Sequence, residues 1–361
     1  MKKILILIIL IILFKSIFAI DLVYYFDIRD SLTIGLTGAP YGSYSSETGI
    51  GFGVNLLIFE KPIENNITPF EMKLDCYYSA SDEEELSVKT CIPIRKYKQF
   101  INIETKYKSK PQSFFGIGAN TDTDEEIEFQ KTYFVFSGDW NRILSKSISL
   151  GTAFDLSGYK NELEEINITD YQISGYTDFY RVFGLGSKLI INTKDANSFP
   201  SSGYYYRNQF MVYDKRIISD FNFITLSQEF HYFYSFGNHI IANQLVSENT
   251  FKDRPFHYLT EQGGSSIMRG YQTARFLDNH FIGYQTEYRA PLILWRVSPV
   301  AFVSLGNSYK GINDFKKENL HLAGGFGFRF ALDVKTRLNL RADIGFSKDG
   351  KQIYLKFGEA F

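Results

Sequence analysis

The chain has 361 residues, and its 39 basic and 40 acidic residues give a formal net charge of −1. This balance gives no sign of the strongly basic character that is typical of nucleic-acid-binding proteins, so we expect no nucleic-acid partner. Aromatic residues make up 17% of the chain, with 34 Phe and 25 Tyr, and such rings are typical of the girdles of membrane barrels.

Residues 1–19 have the pattern of a secretory signal peptide. Two lysines follow the first residue, an apolar run extends to Phe14, and Ala19 is a small residue at a suitable cleavage point. The alternative is a membrane-anchor helix, but the run is shorter than the roughly 20 apolar residues of a full span. The sequence therefore predicts a cleaved signal peptide at residues 1–19 and one exported domain at residues 20–361.

Alternating polar and apolar side chains recur along the rest of the chain. In one segment Arg337, Asn339, Arg341 and Asp343 alternate with Leu338, Leu340, Ala342 and Ile344. This period of two is typical of β-strands with one polar and one apolar face. A soluble β-sandwich alternates in the same way. The signal peptide, the aromatic content and the final Phe361 together favour a barrel that crosses a membrane.

We predict an all-β fold, a transmembrane antiparallel β-barrel of about sixteen strands. The strands should start near Leu32, Gly51, Glu71, Ser87, Gln99, Glu128, Ser147, Arg181, Gly203, Ser219, His239, His280, Pro299, Gly324, Thr336 and Gln352. An even strand count puts both chain ends on the periplasmic side, so the longer connections should face outward. This allocation leaves no room for a separate periplasmic domain.

The sixth outward connection carries the most informative motif of the chain. Gly263 and Gly264 precede Arg269, Gly270 and Tyr271. An arginine inside a narrow lumen needs an acidic partner, because an unpaired buried charge is very costly. Glycine next to it permits a close backbone approach or a positive φ.

Glu287 is the predicted partner of Arg269. It shares a strand face with Gln285 and Arg289, opposite Tyr284 and other residues, so this face should line the lumen. A bidentate pair between Arg269 and Glu287 would then hold the loop inside the barrel. The alternative is that Arg269 is a solvated loop arginine.

The last residues, 352–361, are predicted to form the final strand. Its apolar face would carry Ile353, Leu355, Phe357 and Phe361. Glu359 interrupts that face. A final strand that ends at a terminal Phe resembles the sorting signal of bacterial outer-membrane barrels.

Four segments together resemble the BamA/TamA-type outer-membrane barrel family, also called the bacterial surface antigen family. They are residues 263–271 (GGSSIMRGY), residues 276–278 (FLD) followed by 287–289 (EYR), residues 192–195 (NTKD) with Pro200 and Gly203, and residues 114–120 (FFGIGAN). The last of these resembles a glycine-rich loop of members that lack periplasmic POTRA domains. The resemblance covers nearly the whole mature chain, which is identified as a member of that kind.

The resemblance implies a barrel whose sixth outer loop folds inward and whose wall opens where the first and last strands meet. It places this seam at Gly35 and Gly38 on the first strand and at Phe357 and Phe361 on the last. Strand addition, in which an incoming strand pairs with an exposed edge, is the mechanism proposed for the family.

The chain departs from the family pattern at the predicted loop anchor. Family members commonly place a second carboxylate on the strand that follows Glu287, in a Phe-x-Asp-x-Gly pattern. This chain has Ser304 at that position, and Asp343 is the candidate substitute for the missing acid.

The function that the resemblance implies is to aid protein or lipid insertion or translocation at the outer membrane of a Gram-negative-type bacterium. The expected partners are outer-membrane lipids, other outer-membrane proteins or a separate periplasmic partner. The alternatives are a gated or passive outer-membrane pore, or a structural surface antigen without a transport role.

Catalytic and metal-binding patterns are missing from the sequence. The five His have no ligand spacing, and the acidic residues 122–128 lack the glycine of a calcium loop. We therefore predict no enzyme activity, no cofactor and no metal. Cys76 and Cys91 fall on opposite strand faces, which argues against a direct disulfide unless a bulge changes the register.

Overall fold

The computed structural model describes residues 24–29, 32–60, 70–94, 98–124, 126–162, 179–197, 199–293, 296–333 and 338–361. The predicted signal peptide lies outside these residues and stays a prediction.

The described residues are mostly β-structure. The strands are β1 (Tyr24–Arg29), β2 (Leu32–Ser45), β3 (Gly49–Glu60), β4 (Glu71–Ser79), β5 (Glu84–Ile94), β6 (Gln99–Phe114), β7 (Ile127–Ser145), β8 (Ile148–Glu162), β9 (Tyr180–Asn192), β10 (Gly203–Tyr213), β11 (Phe223–Phe236), β12 (His239–Lys252), β13 (Thr260–Gln262), β14 (Phe276–Asp278), β15 (His280–Arg289), β16 (Val297–Tyr309), β17 (His321–Asp333), β18 (Leu338–Ser347) and β19 (Gly350–Phe357). Short 3-10 helices lie at Phe256–Tyr258, Ile312–Asp314 and Lys317–Asn319. Within the described residues, no helix has the length and apolar character needed to cross a membrane.

The strands form a closed antiparallel barrel. Each strand from β2 to β12 pairs with the next, β12 pairs with β15, and the order continues to β19, which pairs back with β2. This closed ring contains sixteen strands of the 17-stranded sheet, and β1 is the additional strand, paired with β2 as a hairpin. The predicted sixteen-stranded barrel is therefore confirmed.

The two faces of the wall are inverted relative to a soluble protein. On β17, Phe326 and Phe328 are each 50% exposed, whereas Arg329 is 1% exposed. On β15, Glu287 is fully buried and its neighbour Tyr288 is 37% exposed. Apolar rings therefore cover the outside and charges line the inside, which is the arrangement of a barrel wall in lipid.

The hydrophobic core lies inside the barrel rather than between two layers. The long connection 253–279, which contains β13 and β14 as a two-stranded ribbon, supplies much of it. In one cluster Met268, Tyr271 and Phe276 of this connection pack with Phe281 of β15 and Ala323 of β17. The connection, which we call the lumen loop, is the sixth one at the outer end of the barrel.

The connection between β9 and β10, at the opposite, inner end, is held by the side chain of Asp195. The carboxylate of Asp195 accepts hydrogen bonds from the backbone N–H of Ser201 at 2.8 Å and of Ser202 at 3.1 Å. Gly203 follows with a φ of 95°, which a glycine adopts without strain.

The sequence prediction was wrong about two features at the ends of the barrel. β1 was not predicted at all. The final strand β19 ends at Phe357, and Gly358 leaves it with a φ of 78°. Phe361 therefore does not continue the outer face of that strand.

Candidate functional site

The lumen loop is tied to the wall by a buried arginine. Arg269 donates through Nη2 to Glu287 Oε2 at 2.6 Å and through Nη1 to Asp343 Oδ2 at 2.7 Å. The guanidinium carbon lies 3.6 Å from the ring centroid of Phe302, which adds a cation–π contact. Arg269, Glu287 and Asp343 are within 1% of full burial, so this charge is compensated where water does not reach it.

The same carboxylates bind further arginines from neighbouring strands. Glu287 accepts from Arg289 Nε at 2.8 Å and from Arg329 Nη2 at 3.2 Å, while Arg329 Nη1 donates to Asp343 at 2.5 Å. Residues two apart on a strand share a face, which is why β15 and β18 both present their polar groups to the lumen. The result is one connected charge network rather than a single pair.

Close backbone contact holds the loop against β18. A Cβ at Gly270 would lie 2.7 Å from the carbonyl oxygen of Phe346, and Gly270 has a φ of 124°. A Cβ at Gly345 would lie 2.5 Å from the carbonyl carbon of Arg269. The hydroxyl of Ser347 also donates to the Gly270 carbonyl at 2.8 Å. Glycine is needed on both sides of this contact.

The other residues of the motif shape the loop itself. Gly263 has a φ of 111°, and a Cβ there would lie 2.0 Å from the carbonyl oxygen of Gln272. Gly264 donates its N–H to the carbonyl of Tyr271 at 3.1 Å. The hydroxyl of Tyr271 donates to the Leu322 carbonyl of β17 at 3.3 Å. The two glycines therefore let the limbs of the loop approach each other.

Ser304 does not contribute to the arginine site. Its hydroxyl donates to the Ala323 carbonyl of the neighbouring strand at 3.3 Å. The second carboxylate on Arg269 comes instead from Asp343 of β18, three strands along the wall from Glu287.

Arg275 is a second loop arginine that the sequence did not single out. It donates through Nε to Asp349 at 2.6 Å, and through Nη1 and Nη2 to the hydroxyl and carbonyl of Thr121 at 2.6 and 2.8 Å. Its guanidinium also lies over the rings of Phe115 and Phe276. It links the lumen loop to two other outer connections.

An aromatic contact fixes the first part of the loop against β8 and β9, and it too was missed. His257 Nδ1 lies 2.6 Å from the Tyr180 hydroxyl and Nε2 lies 2.7 Å from Asn161 Oδ1. The next residue, Tyr258, donates its hydroxyl to Asp155 at 2.7 Å. Burial, together with the positive charge of Lys131, lowers the pKa of His257 from 6.5 to about 2, so its ring is neutral.

The seam between the first and last barrel strands is short. β19 pairs with β2 at Tyr354–Ser45 and Leu355–Tyr44, and Ile353 also bonds with Ser46. In the described part of the chain, residues 37–43 of β2 have no strand partner on this edge. By contrast, β2 and β3 are paired without a break from Ile34 to Ser45 of β2.

The predicted seam glycines lie away from this contact. Gly35 pairs with Tyr25 of β1 on the seam side. A Cβ at Gly35 would lie 2.5 Å from the Phe59 ring, and one at Gly38 would lie 2.4 Å from Leu56, so both glycines make room for side chains of β3. The placement of the seam at Gly35 is corrected accordingly, to Tyr44 and Ser45.

Of the two phenylalanines predicted at the seam, one lies there and the other does not. Phe357, the last residue of β19, is 43% exposed and its ring lies 6.0 Å from that of Tyr41 across the seam. Phe361 instead packs against His231 and Phe233 of β11, with centroids 5.4 and 6.2 Å apart.

A cavity of about 1000 Å³ occupies the lumen beside the seam. It is bounded by β2 to β7, by the lumen loop and by β19. Its charged lining is mainly acidic and consists of Glu47, Asp75, Glu83, Glu85, Glu126 and Glu128 with Lys108, Lys110 and Lys356. Part of this charge is already paired, since Lys108 lies 2.6 Å from Glu83 and 2.8 Å from Glu85.

Other candidate groups are dispersed. Cys76 and Cys91 are free thiols. Among the described residues, no group of three or more His, Cys, Asp or Glu side chains could hold a metal ion.

Comparison with known proteins gives a consistent result. Residues 72–361 match the Omp85 superfamily domain. The fold is similar to that of BamA from Haemophilus ducreyi lacking POTRA domains 1–3, with a TM-score of 0.64 and 12% identity over 91% of this chain and 70% of that one. It is also similar to CdiB from Acinetobacter baumannii (TM-score 0.56, 11% identity, 92% of this chain and 60% of that one). CdiB from Escherichia coli gives a TM-score of 0.59 and 10% identity, over 93% of this chain and 67% of that one. No curated protein matches the chain significantly.

Proposed function

The chain belongs to the Omp85 superfamily and is an outer-membrane β-barrel, and from that membership we propose that it aids the insertion or translocation of proteins or lipids at the outer membrane. The observation that carries this proposal is the short seam. β2 meets β19 at Tyr44 and Ser45 and has no strand partner along residues 37–43 in the described structure.

A free strand edge in lipid is a strong template for another strand. Backbone N–H and C=O groups that find no partner in the hydrocarbon region cost several kcal/mol each. An incoming strand that paired with residues 37–43 of β2 would satisfy those groups, which is the strand-addition mode of recognition. The edge of β2 therefore supports a role in receiving strands of other outer-membrane proteins.

The anchored loop supports the same role from inside. The charge network around Arg269 fixes the lumen loop against β15 and β18, so the space next to the seam stays open as the acidic cavity. A strand that enters at the seam would meet this cavity rather than a filled lumen.

The remaining parts of the proposal concern partners and export. We propose export by a cleaved signal peptide at residues 1–19, contact with outer-membrane lipids, and work on other outer-membrane proteins or with a separate periplasmic partner.

Depletion of the protein in its own cells tests this proposal. The folded, heat-modifiable fraction of other outer-membrane barrels is measured as the protein is lost. The proposal predicts that this fraction falls and that the wild-type gene restores it. If all other barrels remain fully assembled, the protein does not act in insertion.

A gated pore is the second candidate, and the cavity favours it. The cavity is large enough for water and ions, and the lumen loop fills the other side of the barrel. Replacing residues 253–279 by a short Gly-Ser linker should raise the single-channel conductance in planar bilayers several-fold if the loop is a plug. An unchanged conductance would count against a plugged pore.

A further inference from the structure

The segment that follows β19 turns into the lumen instead of continuing the wall. Gly358 takes a φ of 78°, and its N–H donates to the Asn339 carbonyl at 2.8 Å. The next carboxylate, Glu359, accepts from Arg329 Nε at 2.6 Å and from Asn339 Nδ2 at 2.8 Å. The Glu359 side chain is only 3% exposed, so the wall supplies it with a built acid-binding position.

Two residues further on, an aromatic ring fills a second position. The ring of Phe361 stacks at 6.2 Å on Phe233 and lies 5.4 Å from His231, and Arg289 holds its guanidinium carbon 5.5 Å from the ring centroid. Arg289 Nη2 also lies 3.4 Å from the main-chain oxygen of Phe361. These groups belong to β11 and β15, so the segment reaches across the floor of the lumen.

The register of the seam shows what the segment would do outside the lumen. Tyr354 pairs with Ser45 and Leu355 with Tyr44, so a continued strand would place Phe361 opposite Gly38. On the other side of the gap, β1 already covers β2 as far as Leu36. The segment is therefore long enough to cover almost all of the β2 edge that has no strand partner.

The side chain of Glu359 explains why the segment does not pair there. Alternation along a continued β19 would put Glu359 on the lipid face with Leu355 and Phe357, where a charge is unfavourable. It would also face Pro40, which has no N–H to donate to the ladder. Inside the lumen, the same carboxylate has two hydrogen-bond donors.

We propose that the floor of the lumen is a binding site for an acidic–x–aromatic peptide segment, occupied here by residues 359–361 of the same chain, and that its occupation keeps the edge of β2 free. Arg329 and Asn339 bind the carboxylate of the segment. Its aromatic ring packs against Arg289, His231 and Phe233. The site deepens the proposed function, because it controls the edge to which an incoming strand would add.

The site is also connected to the loop anchor. Arg329, which binds Glu359, donates to both Glu287 and Asp343, the two carboxylates that hold Arg269. Release of the segment therefore leaves Arg329 with fewer acceptors beside the loop anchor.

Disulfide trapping tests the proposal. In a Cys76→Ser, Cys91→Ser background, the pair Ala39→Cys and Ala360→Cys reports a continued seam, since these residues would be opposite each other and on one face. Glu359→Val should raise the rate of this disulfide by about tenfold or more, because the docked segment loses two charge-assisted hydrogen bonds. Asn339→Ala should raise it as well, without touching the carboxylates of the loop anchor.

The matched control is the pair Tyr44→Cys and Leu355→Cys, which are opposite each other in the present structure. Its disulfide should form at the same rate in all backgrounds, and heat-modifiable mobility shows that each variant is folded. With Glu359 and Asn339 unchanged, the proposal is overturned if the disulfide between positions 39 and 360 forms as fast as the control disulfide between positions 44 and 355. It is also overturned if neither Glu359→Val nor Asn339→Ala changes the rate at which the 39–360 disulfide forms. The readout involves no cargo, so it is independent of the depletion experiment.

Discussion

At the scale of single residues, the buried charges of the lumen decide where the loop sits. Glu287 serves three arginines at once, Arg269, Arg289 and Arg329. Because each of these groups is almost completely buried, none can exchange its protein partner for water. Substitution of a shared carboxylate should therefore disturb the network more than substitution of any other member.

Glu287→Gln removes the charge on which three arginines converge while it keeps the shape of the side chain. Breaking a buried ion pair typically costs about 3–5 kcal/mol, so we expect a loss of that order in the free energy of unfolding and faster proteolysis of the lumen loop. Limited proteolysis and denaturant titration of the folded barrel measure the two effects.

The matched control is Glu85→Gln on the other side of the lumen, where Lys108 keeps its second partner Glu83. It should leave loop proteolysis unchanged. Equal effects of the two substitutions would show that Glu287 does not anchor the loop.

His257 gives the loop contact a pH dependence. Its pKa falls from 6.5 to about 2 in the docked loop because of burial and then Lys131. In a released loop, His257 would bind a proton near its ordinary pKa. The equilibrium constant for docking of the loop therefore falls by up to about tenfold for each pH unit below about 6.5. Tyr180, Tyr159 and Asn161 face the ring and carry no charge at these pH values.

Loop proteolysis at about pH 7.5 and about pH 5 measures this effect, and His257→Gln is the reference that lacks the titrating ring. We expect faster cleavage at the lower pH in the wild type and a weaker pH dependence in His257→Gln. The same dependence in both proteins would assign it to other groups.

The sequence pattern pointed to some of these residues for a clear reason. Arg269 lies between a glycine pair and Gly270, and the alternation around Glu287 and Asp343 puts both on a polar face, so the three could be named before any contact was known. Arg275 and His257 could not be named, because their partners Thr121 and Tyr180 lie on distant segments with no shared period.

At the scale of the elements, the inverted faces of the strands define the membrane wall. The outward side of β17 carries Phe326 and Phe328, and its inward side carries Arg329. Gly345 on the inward side of β18 leaves space for the loop backbone at Arg269 and Gly270. β18 therefore has an inward side on which the loop can pack closely.

A charge on the lipid-facing row should destabilise the barrel. Phe326 lies in the middle of β17, paired with Ala301 and Ile344. Phe326→Arg is expected to lower the free energy of unfolding in lipid by about 2–4 kcal/mol, because Arg near the bilayer centre is that unfavourable. The control Ile312→Arg, at an outer-loop residue that is 71% exposed, should have little effect. Similar losses for both would contradict the placement of the wall.

Strand positions were predictable where turns and alternation agree. β6, β12 and β15 begin at Gln99, His239 and His280, as predicted. β11 begins at Phe223 rather than Ser219, because polar and apolar residues of the preceding outer loop mimic alternation. β1 was missed although Phe26 and Ile28 alternate with Asp27 and Arg29, because this short segment lies directly before the strand that was predicted as the first one.

At the scale of the whole molecule, the barrel is divided into a filled side and an open side. The lumen loop packs against the strands from β6 to β18, and the acidic cavity lies beside it against β2 to β7. The seam is next to the open side. This placement, rather than any single residue, gives the edge of β2 access both to lipid and to the lumen.

The central claim is that other outer-membrane proteins use the seam between β2 and β19, and a reversible lock tests it most directly. In depleted cells, Tyr44→Cys with Leu355→Cys joins β2 to β19, and Tyr44→Cys with Ile50→Cys joins β2 to β3, each in the Cys76→Ser, Cys91→Ser background. All of these residues lie outside the loop anchor, so the two locks differ in the seam alone.

The measurement is the folded fraction of the other outer-membrane barrels under oxidising conditions and after addition of a reductant. We predict that the β2–β19 lock blocks their assembly until the disulfide is reduced, whereas the β2–β3 lock supports assembly in both conditions. Full assembly with the β2–β19 disulfide intact would contradict the claim.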